Sequence, residues 1–293
     1  MTNVASLTQS IERCQAITKD AKSNFLIPFR TLSSEKRLAF EVIYAFMRLT
    51  DDISDEPEGS GRAQRFRDWR QGLHAAFDGN AGQSPVFPAL VHIANKYRIP
   101  LSLLDELIDG TEQDLIVTRF RTFKELRAYC YKVASVVGLV SLHIFELEDP
   151  TEANLKLSQE LAIDCGLAFQ MTNILRDIDE DLARDRIYLP QEDLRDFGLK
   201  DEDLQSRQAT DPFKKLMEHE WQRAQEYYER SAPLASLLTR QAQPCLLTMR
   251  AIYYALHQQI RKQHFDVFHS RVKISKLKKV ILALRASLFR RGP

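Results

Sequence analysis

The chain has 293 residues, of which 44% are hydrophobic and 28% charged, and its formal net charge is +1. This size and balance suit one large globular domain, or two ordinary ones, with a sizeable core. A net charge so close to zero excludes a strong overall field for nucleic acid or another polyanion. The four cysteines are scattered without a zinc-binding spacing, which is typical of buried free thiols in a reducing compartment.

Targeting signals are not expected from the sequence. The first 22 residues lack the apolar core of a signal peptide. No segment is expected to reach the roughly 20 apolar residues of a membrane span. These observations predict a cytoplasmic protein.

Helix signals recur along the whole chain, whereas no run of alternating β-branched residues indicates a strand. Only 10 glycines and 11 prolines interrupt the sequence, which favours long helices. In the first half of the chain, Ser33 or Ser34 can cap a helix over 38–55, Pro85 and Pro88 introduce a helix through Tyr97, and Pro100 opens the next helix. A capping box at 122–125 precedes a helix over 126–147, and Asp149-Pro150 starts a helix that is predicted to reach about Arg184. Asp211-Pro212 precedes a helical stretch over 221–228, and Pro244 precedes one over 246–268. We therefore predict one all-α domain over residues 1–293.

The predicted helix 38–55 ends in a dense acidic cluster, DDISDE, at residues 51–56. Like charges three or four residues apart on a helix cost about 0.2–0.5 kcal/mol per pair. Four residues recur at steps of four, three and four and therefore share one stripe of the helix: Tyr44, Arg48, Asp51 and Asp55. Asp52 and Glu56 point to the side of this stripe and are expected only to set the local field.

A second acidic cluster lies in FQMTNILRDIDEDLARDRIYLPQEDL, residues 169–194. Four residues again share one stripe, at steps of three, four and four: Gln170, Asn173, Asp177 and Asp181. The two amides stand among apolar neighbours, where an unpaired polar group would cost about 1–3 kcal/mol. A hard cation such as Mg²⁺ binds carboxylate and amide oxygens and would satisfy these groups.

Each cluster alone also fits a solvated acidic helix end, and the first fits a turn before Pro57. Two matched stripes with arginines beside them are harder to explain in this way. Arg48 precedes the first acids by one turn, and three arginines flank the second stripe, at positions 176, 184 and 186. Guanidinium groups bind phosphate oxygens in bidentate fashion. The pattern therefore predicts a diphosphate–Mg²⁺ site between two helices.

Four stretches carry a family resemblance, namely YAFMRLTDDISDE (44–56), YCYKVASVVGL (129–139), residues 169–194 and FDVFHSRVKISKLKKVILALRA (265–286). In this order and spacing they resemble the squalene/phytoene synthase family of head-to-head trans-prenyl synthases. The resemblance implies a single-domain, all-α isoprenoid-synthase helical bundle with a central apolar cavity. It places the two aspartate motifs at the mouth of that cavity.

The resemblance also implies roles for individual residues. The four stripe aspartates are expected to be catalytic through the Mg²⁺ ions that they hold, and the expected metal ligands are Asp51, Asp55, Asn173, Asp177 and Asp181. The expected substrate-binding residues are Asn24, Tyr44, Arg48, Tyr129, Gln170, Arg176, Arg186 and Tyr253. The chain departs from the family pattern at Asn24, in a segment that commonly carries a serine–phenylalanine pair. Ser135 stands where the family has glycine, which would narrow the cavity or change a close helix contact.

In this family two prenyl diphosphates condense head to head through a cyclopropylcarbinyl diphosphate. Farnesyl diphosphate is the favoured substrate here, and the product would be presqualene diphosphate or, with NADPH as reductant, squalene. One alternative is a phytoene synthase that uses two geranylgeranyl diphosphates. Another is a non-catalytic relative acting as an assembly factor, which the retained aspartates disfavour. The RIYLPQ motif disfavours a head-to-tail elongase or terpene cyclase.

Residues 271–293 form a basic amphipathic tail with eight Lys/Arg and no acid. Apolar residues in it follow helical spacing: Ile274, Leu277, Ile281, Leu284 and Leu288. Such a tail fits a closing helix packed on the domain and, in addition, peripheral contact with an anionic membrane at its inner face. The expected partners are prenyl diphosphates and no nucleic acid, and the expected state is a monomer or weak homodimer.

Overall fold

The computed structural model describes residues 6–21, 23–55, 61–80 and 84–288. Glu56 and residues 289–293 of the basic tail lie outside these ranges. The longer helices are α1 (Leu7–Asp20), α3 (Ser34–Ser54), α4 (Arg62–Phe77), α5 (Phe87–Tyr97), α6 (Leu101–Gln113), α7 (Phe123–Cys130), α8 (Val136–Phe145), α9 (Glu152–Arg176), α13 (Asp211–Arg230), α15 (Gln243–Lys262) and α16 (Lys276–Leu288). The shorter helices are α2 (Leu26–Phe29), α10 (Ile178–Leu182), α11 (Gln191–Asp196), α12 (Asp201–Gln205) and α14 (Leu234–Leu237). The predicted all-α class is confirmed, since the described ranges contain only two isolated β-bridges.

A continuous helix from Phe123 to Phe145 runs through the middle of the molecule. It consists of α7, one π-helical turn at Tyr131–Ser135, and α8. It packs closely on α9, where a Cβ built on Gly166 would lie 2.6 Å from the Cα of Ser135. The Ser135 side chain is fully buried, and its hydroxyl donates to the carbonyl of Ile163 at 2.8 Å. Ser135 therefore ties the central helix to α9.

This central helix is also long and apolar enough to cross a membrane, by length and composition alone. The expectation that no segment approaches a membrane span is therefore wrong for residues 123–145. The helix packs against α3, α6 and α9 and lines an internal apolar cavity. These surroundings account for its apolar composition within the fold.

Several predicted helix starts are confirmed, whereas two caps differ by one or two residues. Ser33 caps α3 by accepting a hydrogen bond from the Lys36 amide, as predicted. Thr151 rather than Asp149 caps α9, and Thr210 rather than Asp211 caps α13. In both cases the threonine directly precedes the first helical residue, so its hydroxyl reaches the third amide of the helix.

Other boundaries also differ from the prediction. The predicted box at 122–125 is half present: Thr122 accepts from the Glu125 amide, but the Glu125 carboxylate accepts from the amide of Arg121. The helix predicted to reach about residue 184 ends at 176, because the backbone of Asp177 leaves helical geometry at φ −104° and ψ 15°. The helix predicted to reach residue 268 ends at 262, and the φ of His264 just beyond it is 53°.

The buried residues form two apolar clusters, and the central helix contributes to both, through α8 to one and through α7 to the other. One joins α1, α3, α5, α6 and α8, and the other joins α9, α13 and α15. Phe25 and Phe169 pack against both clusters.

Candidate active site

A polar cleft of about 310 Å³ lies between α3 and the junction of α9 with α10. Its lining includes both predicted stripes except Tyr44, together with the flanking arginines: Arg48, Asp51, Asp55, Gln170, Asn173, Arg176, Asp177, Asp181, Arg184 and Arg186. The structure thus brings the two acidic clusters together at one site, as their helical spacing predicts. Their roles in binding metal and substrate remain predictions.

The helix break at Asp177 leaves the second stripe intact. The amide of Asp177 still donates to the carbonyl of Asn173 at 2.9 Å. The amide of Asp181 likewise donates to the carbonyl of Asp177 at 2.9 Å. Helical hydrogen bonds therefore connect these residues across the break, and all three face the cleft.

Arginines pair with the carboxylates of the first motif. Arg184 reaches from the opposite wall, and its Nη1 donates to Asp55 Oδ1 at 2.9 Å. Arg48 instead pairs with Asp52, with 2.6 Å between Nη2 and Oδ1. Asp52 therefore pairs with Arg48 of the cleft, although Asp52 itself does not belong to the first stripe.

Two arginines hold the carboxylate of Asp177. The Arg176 Nε donates to Asp177 Oδ1 at 2.8 Å, and a second, shorter bond joins Nη2 to Oδ2. Arg271, from the segment that leads into α16, donates to Asp177 Oδ1 at 3.1 Å and pairs with Glu180 at 3.0 Å. Among the described residues, no three carboxylate, histidine or cysteine groups are already gathered as a metal cluster. Two of the cleft acids, Asp55 and Asp177, are therefore paired with arginines.

The pKa values of two cleft aspartates are strongly raised. The carboxyl of Asp51 is reachable by water, yet the surrounding protein displaces much of its hydration and raises its pKa to about 7, with a further contribution from Asp55. Burial, followed by the charge of Asp177, raises the pKa of Asp181 to about 7 as well. A cation between the two stripes would favour the ionised form of both.

The donor set of the cleft fits a divalent cation. Asn173 donates through Nδ2 to Gln170 Oε1 at 3.3 Å, whereas its buried Oδ1 has no hydrogen-bond partner. An unpaired buried carbonyl oxygen beside carboxylates is the kind of ligand that Mg²⁺ takes. The residues that would hold it are Asp51, Asp55, Asn173, Asp177 and Asp181.

An apolar cavity of about 260 Å³ adjoins the cleft. Asp51, Gln170 and Asn173 line both spaces and form the neck between them. Along α3 the cavity lining extends from Asp51 to Phe40, eleven residues or about 16 Å at the helical rise. At this far end the rings of Phe40 and Phe145 lie 4.8 Å apart, centroid to centroid.

Aromatic rings line the cavity near the neck. Tyr44 and Tyr253, two predicted substrate-binding residues, are both part of this lining. The rings of Tyr253 and Phe169 stack with centroids 4.3 Å apart, and Phe25 lies 5.6 Å from Tyr253 and 6.4 Å from Tyr44. Aromatic faces attract cations by about 0.5–2 kcal/mol. The neck is therefore suited to a carbocation as well as to a hydrocarbon tail.

Two predicted substrate-binding residues lie outside both linings. Tyr129 is buried behind the cleft, where its hydroxyl donates to Asp114 Oδ2 at 3.1 Å. Asn24 accepts a hydrogen bond from Lys279 Nζ at 2.5 Å. Substrate contact by these two residues stays a prediction.

The structure also brings three residues to the site that sequence reasoning missed. Asp114, at the end of α6, lines the cleft and accepts from the hydroxyls of Tyr129 and Tyr188 at 3.1 Å each. Burial raises its pKa, and in the sequence it is one of five acids within residues 105–114, a stretch that was not predicted to contribute to the site. Arg271 and Lys279 belong to the stretch interpreted only as a basic tail, yet Arg271 pairs with Asp177 of the cleft and Lys279 donates to Asn24, a predicted substrate-binding residue.

Comparisons with known proteins cover nearly the whole chain. A family model described as squalene/phytoene synthase matches residues 18–278. The phytoene synthase of Arthrospira platensis is 31% identical over 98% of this chain and 96% of its own length. The 15-cis-phytoene synthase of Synechococcus elongatus is 30% identical over 97% of this chain and 96% of its own length.

Solved structures show the same architecture. A dehydrosqualene synthase superposes with a TM-score of 0.87 at 29% identity, over 97% of this chain and 98% of its own. Squalene synthase HpnC from Alicyclobacillus acidocaldarius gives a TM-score of 0.79 at 30% identity, over 89% of this chain and 97% of its own. The predicted isoprenoid-synthase fold is therefore confirmed.

Proposed function

Because the chain belongs to the squalene/phytoene synthase family, we propose that it condenses two farnesyl diphosphates head to head. The reaction would pass through a cyclopropylcarbinyl diphosphate and give presqualene diphosphate or squalene. The enzyme class, a prenyltransferase, follows from family membership. The observation that carries the proposal is the neck at Asp51, Gln170 and Asn173, which joins a charged cleft to an apolar cavity. One space suits a diphosphate and the other a prenyl tail.

The cleft residues would act on the diphosphate. Bound Mg²⁺ would supply positive charge that stabilises the leaving group. Arg48 and Arg184 face the same space, and their guanidinium groups can take phosphate oxygens in bidentate fashion. Because Arg184 also donates to Asp55, a diphosphate would compete with that carboxylate for the guanidinium.

The cavity residues would act on the hydrocarbon and its cation. Its walls, formed largely by apolar and aromatic side chains, would exclude water, which would otherwise capture an allylic cation. Tyr44, Phe169 and Tyr253 place aromatic rings beside the neck, where the bond to diphosphate would break. Their cation–π attraction would favour the cationic state over the neutral substrate.

The span of the cavity-lining residues along α3 is close to the length of a C15 tail. The lining extends about 16 Å along α3 before it ends at Phe40 and Phe145. At a carbon–carbon bond length of about 1.5 Å, an extended farnesyl tail spans about 14 Å and a geranylgeranyl tail about 19 Å. If Phe40 and Phe145 close the far end of the cavity, the longer tail would have to displace their rings.

A second candidate function is phytoene synthesis from two geranylgeranyl diphosphates. It is supported by the relatives from Arthrospira platensis and Synechococcus elongatus, which are phytoene synthases at 31% and 30% identity. A non-catalytic assembly factor finds no comparable support, because every predicted metal ligand is present and lines the cleft.

The deciding experiment incubates the purified protein with Mg²⁺ and either farnesyl or geranylgeranyl diphosphate, with and without NADPH. Products are extracted and identified by mass. We expect consumption of farnesyl diphosphate and a C30 product, with squalene formed only when NADPH is present. Preferential consumption of geranylgeranyl diphosphate would establish the second candidate, and consumption of neither would contradict both.

The proposed setting is the cytoplasm, at the inner face of the membrane, with the protein a monomer or weak homodimer. The chemistry of the substrates supports this setting. A prenyl diphosphate is amphipathic, whereas a C30 hydrocarbon is insoluble in water. A surface that contacts both phases would serve both molecules.

A further inference from the structure

The C-terminal helix α16 has large apolar side chains on its outer face. It packs on α15 and α2 through an inner face that buries Ala283 and Ala286. At about 100° per residue, the opposite face carries five large and well exposed side chains: Leu277 (70% exposed), Val280 (44%), Ile281 (41%), Leu284 (60%) and Leu288 (62%). These are half of the ten exposed large hydrophobics found among the described residues, on a helix of 13 residues.

This arrangement reverses that of an ordinary surface helix, which turns its apolar stripe inward and its polar residues outward. A contiguous exposed apolar patch on a helix indicates a partner surface. The apolar row therefore requires an occupant, and its borders indicate which kind.

Cationic side chains border the row. Lys276 lies on one side, Lys278 and Arg285 lie on the other, and all three are exposed, as is Lys273 just before the helix. No acidic residue occurs from Arg271 to Leu288. The occupant must accordingly combine an apolar interior with a negatively charged surface.

We propose that the outer face of α16 docks on a phospholipid bilayer that contains anionic headgroups. The apolar row would enter the boundary between headgroups and acyl chains, while the bordering cations would contact lipid phosphates. A second copy of the chain fits this face less well. Two-fold pairing would bring the same basic borders together, and the patch has no carboxylate to neutralise them.

Docking would also orient the candidate site, an effect that rests on the proposed function. α16 contacts α2, and Phe29 of α2 lines the apolar cavity. On the inner side of α16, Lys279 holds Asn24 in the loop before α2. The bilayer would thus lie close to a wall of the cavity, where it could supply a prenyl tail or take up a hydrocarbon.

The test is sedimentation of the full chain with vesicles of phosphatidylcholine alone or mixed with phosphatidylglycerol. We expect at least about tenfold more binding to the anionic vesicles, and loss of at least about tenfold in the double variant Leu277→Ser/Leu284→Ser. Leu155→Ser is the matched control, because Leu155 is a leucine of comparable exposure, 45%, on a different helix, α9. It should bind like the unaltered protein.

Two results would overturn the proposal. One is that the unaltered protein stays in solution with anionic vesicles. The other is that the double variant Leu277→Ser/Leu284→Ser binds these vesicles as strongly as the unaltered protein. A dimer that the double variant dissociates, without vesicle binding, would assign the face to a second copy. Vesicle binding by a protein that turns over neither prenyl diphosphate would leave the docking standing and reject the proposed function.

Discussion

Arg184 joins the two walls of the cleft, because its guanidinium donates to Asp55 while its backbone lies in the turn that follows α10 and the second motif. If a diphosphate competes for this guanidinium, Arg184→Ala should weaken substrate binding. We expect KM for farnesyl diphosphate to rise about tenfold, the loss of one charge-assisted contact. Initial rates at saturating Mg²⁺ measure this. Arg207→Ala is the control, since Arg207 pairs with Asp179 at 2.6 Å outside the cleft, and an equal effect there would contradict the assignment.

Asp51 and Asp52 are neighbours in sequence with different surroundings. Asp51 lines the neck, whereas Asp52 pairs with Arg48 and lies outside the cleft lining. Asp51→Asn should lower kcat by at least about 100-fold, because it removes a charge aimed at the bound cation. Asp52→Asn should lower kcat less than about tenfold. Turnover measured across a Mg²⁺ titration compares them, and equal losses would show that the stripe does not define the site.

Glu220 gives the fold a pH dependence that is independent of the cleft. Burial raises its pKa from 4.5 to about 8, although Arg223 opposes the shift from 2.7 Å. The folded protein therefore binds a proton that the unfolded chain releases, so stability is highest below about pH 4.5 with respect to this group and falls as pH rises to about 8. The slope is at most about 1.4 kcal/mol per pH unit.

The variant Glu220→Gln should flatten this dependence, because an amide stays neutral at every pH. Urea unfolding at several pH values between 5 and 9 measures the free energy of unfolding. Glu229→Gln, an exposed site on the same helix, should leave the slope unchanged. The same slope in Glu220→Gln as in the unaltered protein would show that Glu220 is ionised in the fold.

At the scale of elements, the crossing of the central helix with α9 depends on glycine. A Cβ on Gly166 would lie 2.6 Å from Ser135 Cα and 2.7 Å from Ala134 O, and backbone atoms cannot rotate away. Gly166→Ala should therefore cost about 1–3 kcal/mol of stability, measured by urea unfolding. In Gly72→Ala the new Cβ meets only a ring edge of Phe87, at 3.0 Å, and helix propensity offsets part of the strain. Equal costs for both would contradict a backbone clash.

The helices and the two stripes were predictable from the sequence because both follow from local periodicity. Residues three and four positions apart share a face of a helix whatever that helix packs against. Asn173 and Asp177 therefore lie on the same side, although α9 ends between them. Asp114 and Arg271 were not predictable in this way. They reach the cleft through the packing of α6 and of the C-terminal segment, which joins residues 94 positions apart in the Arg271–Asp177 pair. Such long-range pairs leave no periodic signal.

At the scale of the whole molecule, the apolar cavity lies mainly within the cluster that contains α3 and α8, and Phe40 lines the end of it that is farthest from Asp51 along α3. If Phe40 limits the tail, Phe40→Leu should raise kcat/KM for geranylgeranyl relative to farnesyl diphosphate by about tenfold, the scale of discrimination by a few carbon atoms in an apolar pocket. Phe66→Leu removes the same volume from the core without lining the cavity and should leave the ratio unchanged. Competition between the two substrates measures the ratio.

The neck between cleft and cavity also bears on how a reaction cycle would end. In the proposed function a prenyl diphosphate would be held at both ends, by charge in the cleft and by apolar contact in the cavity. A hydrocarbon product no longer carries the diphosphate that the cleft residues would bind, so only its apolar contacts with the cavity would remain. Its departure then depends on what lies outside to dissolve it. The steady-state rate would then depend on an apolar phase, such as a membrane, that takes up the product. Adding lipid or detergent should raise the steady-state rate without changing the rate of the first turnover.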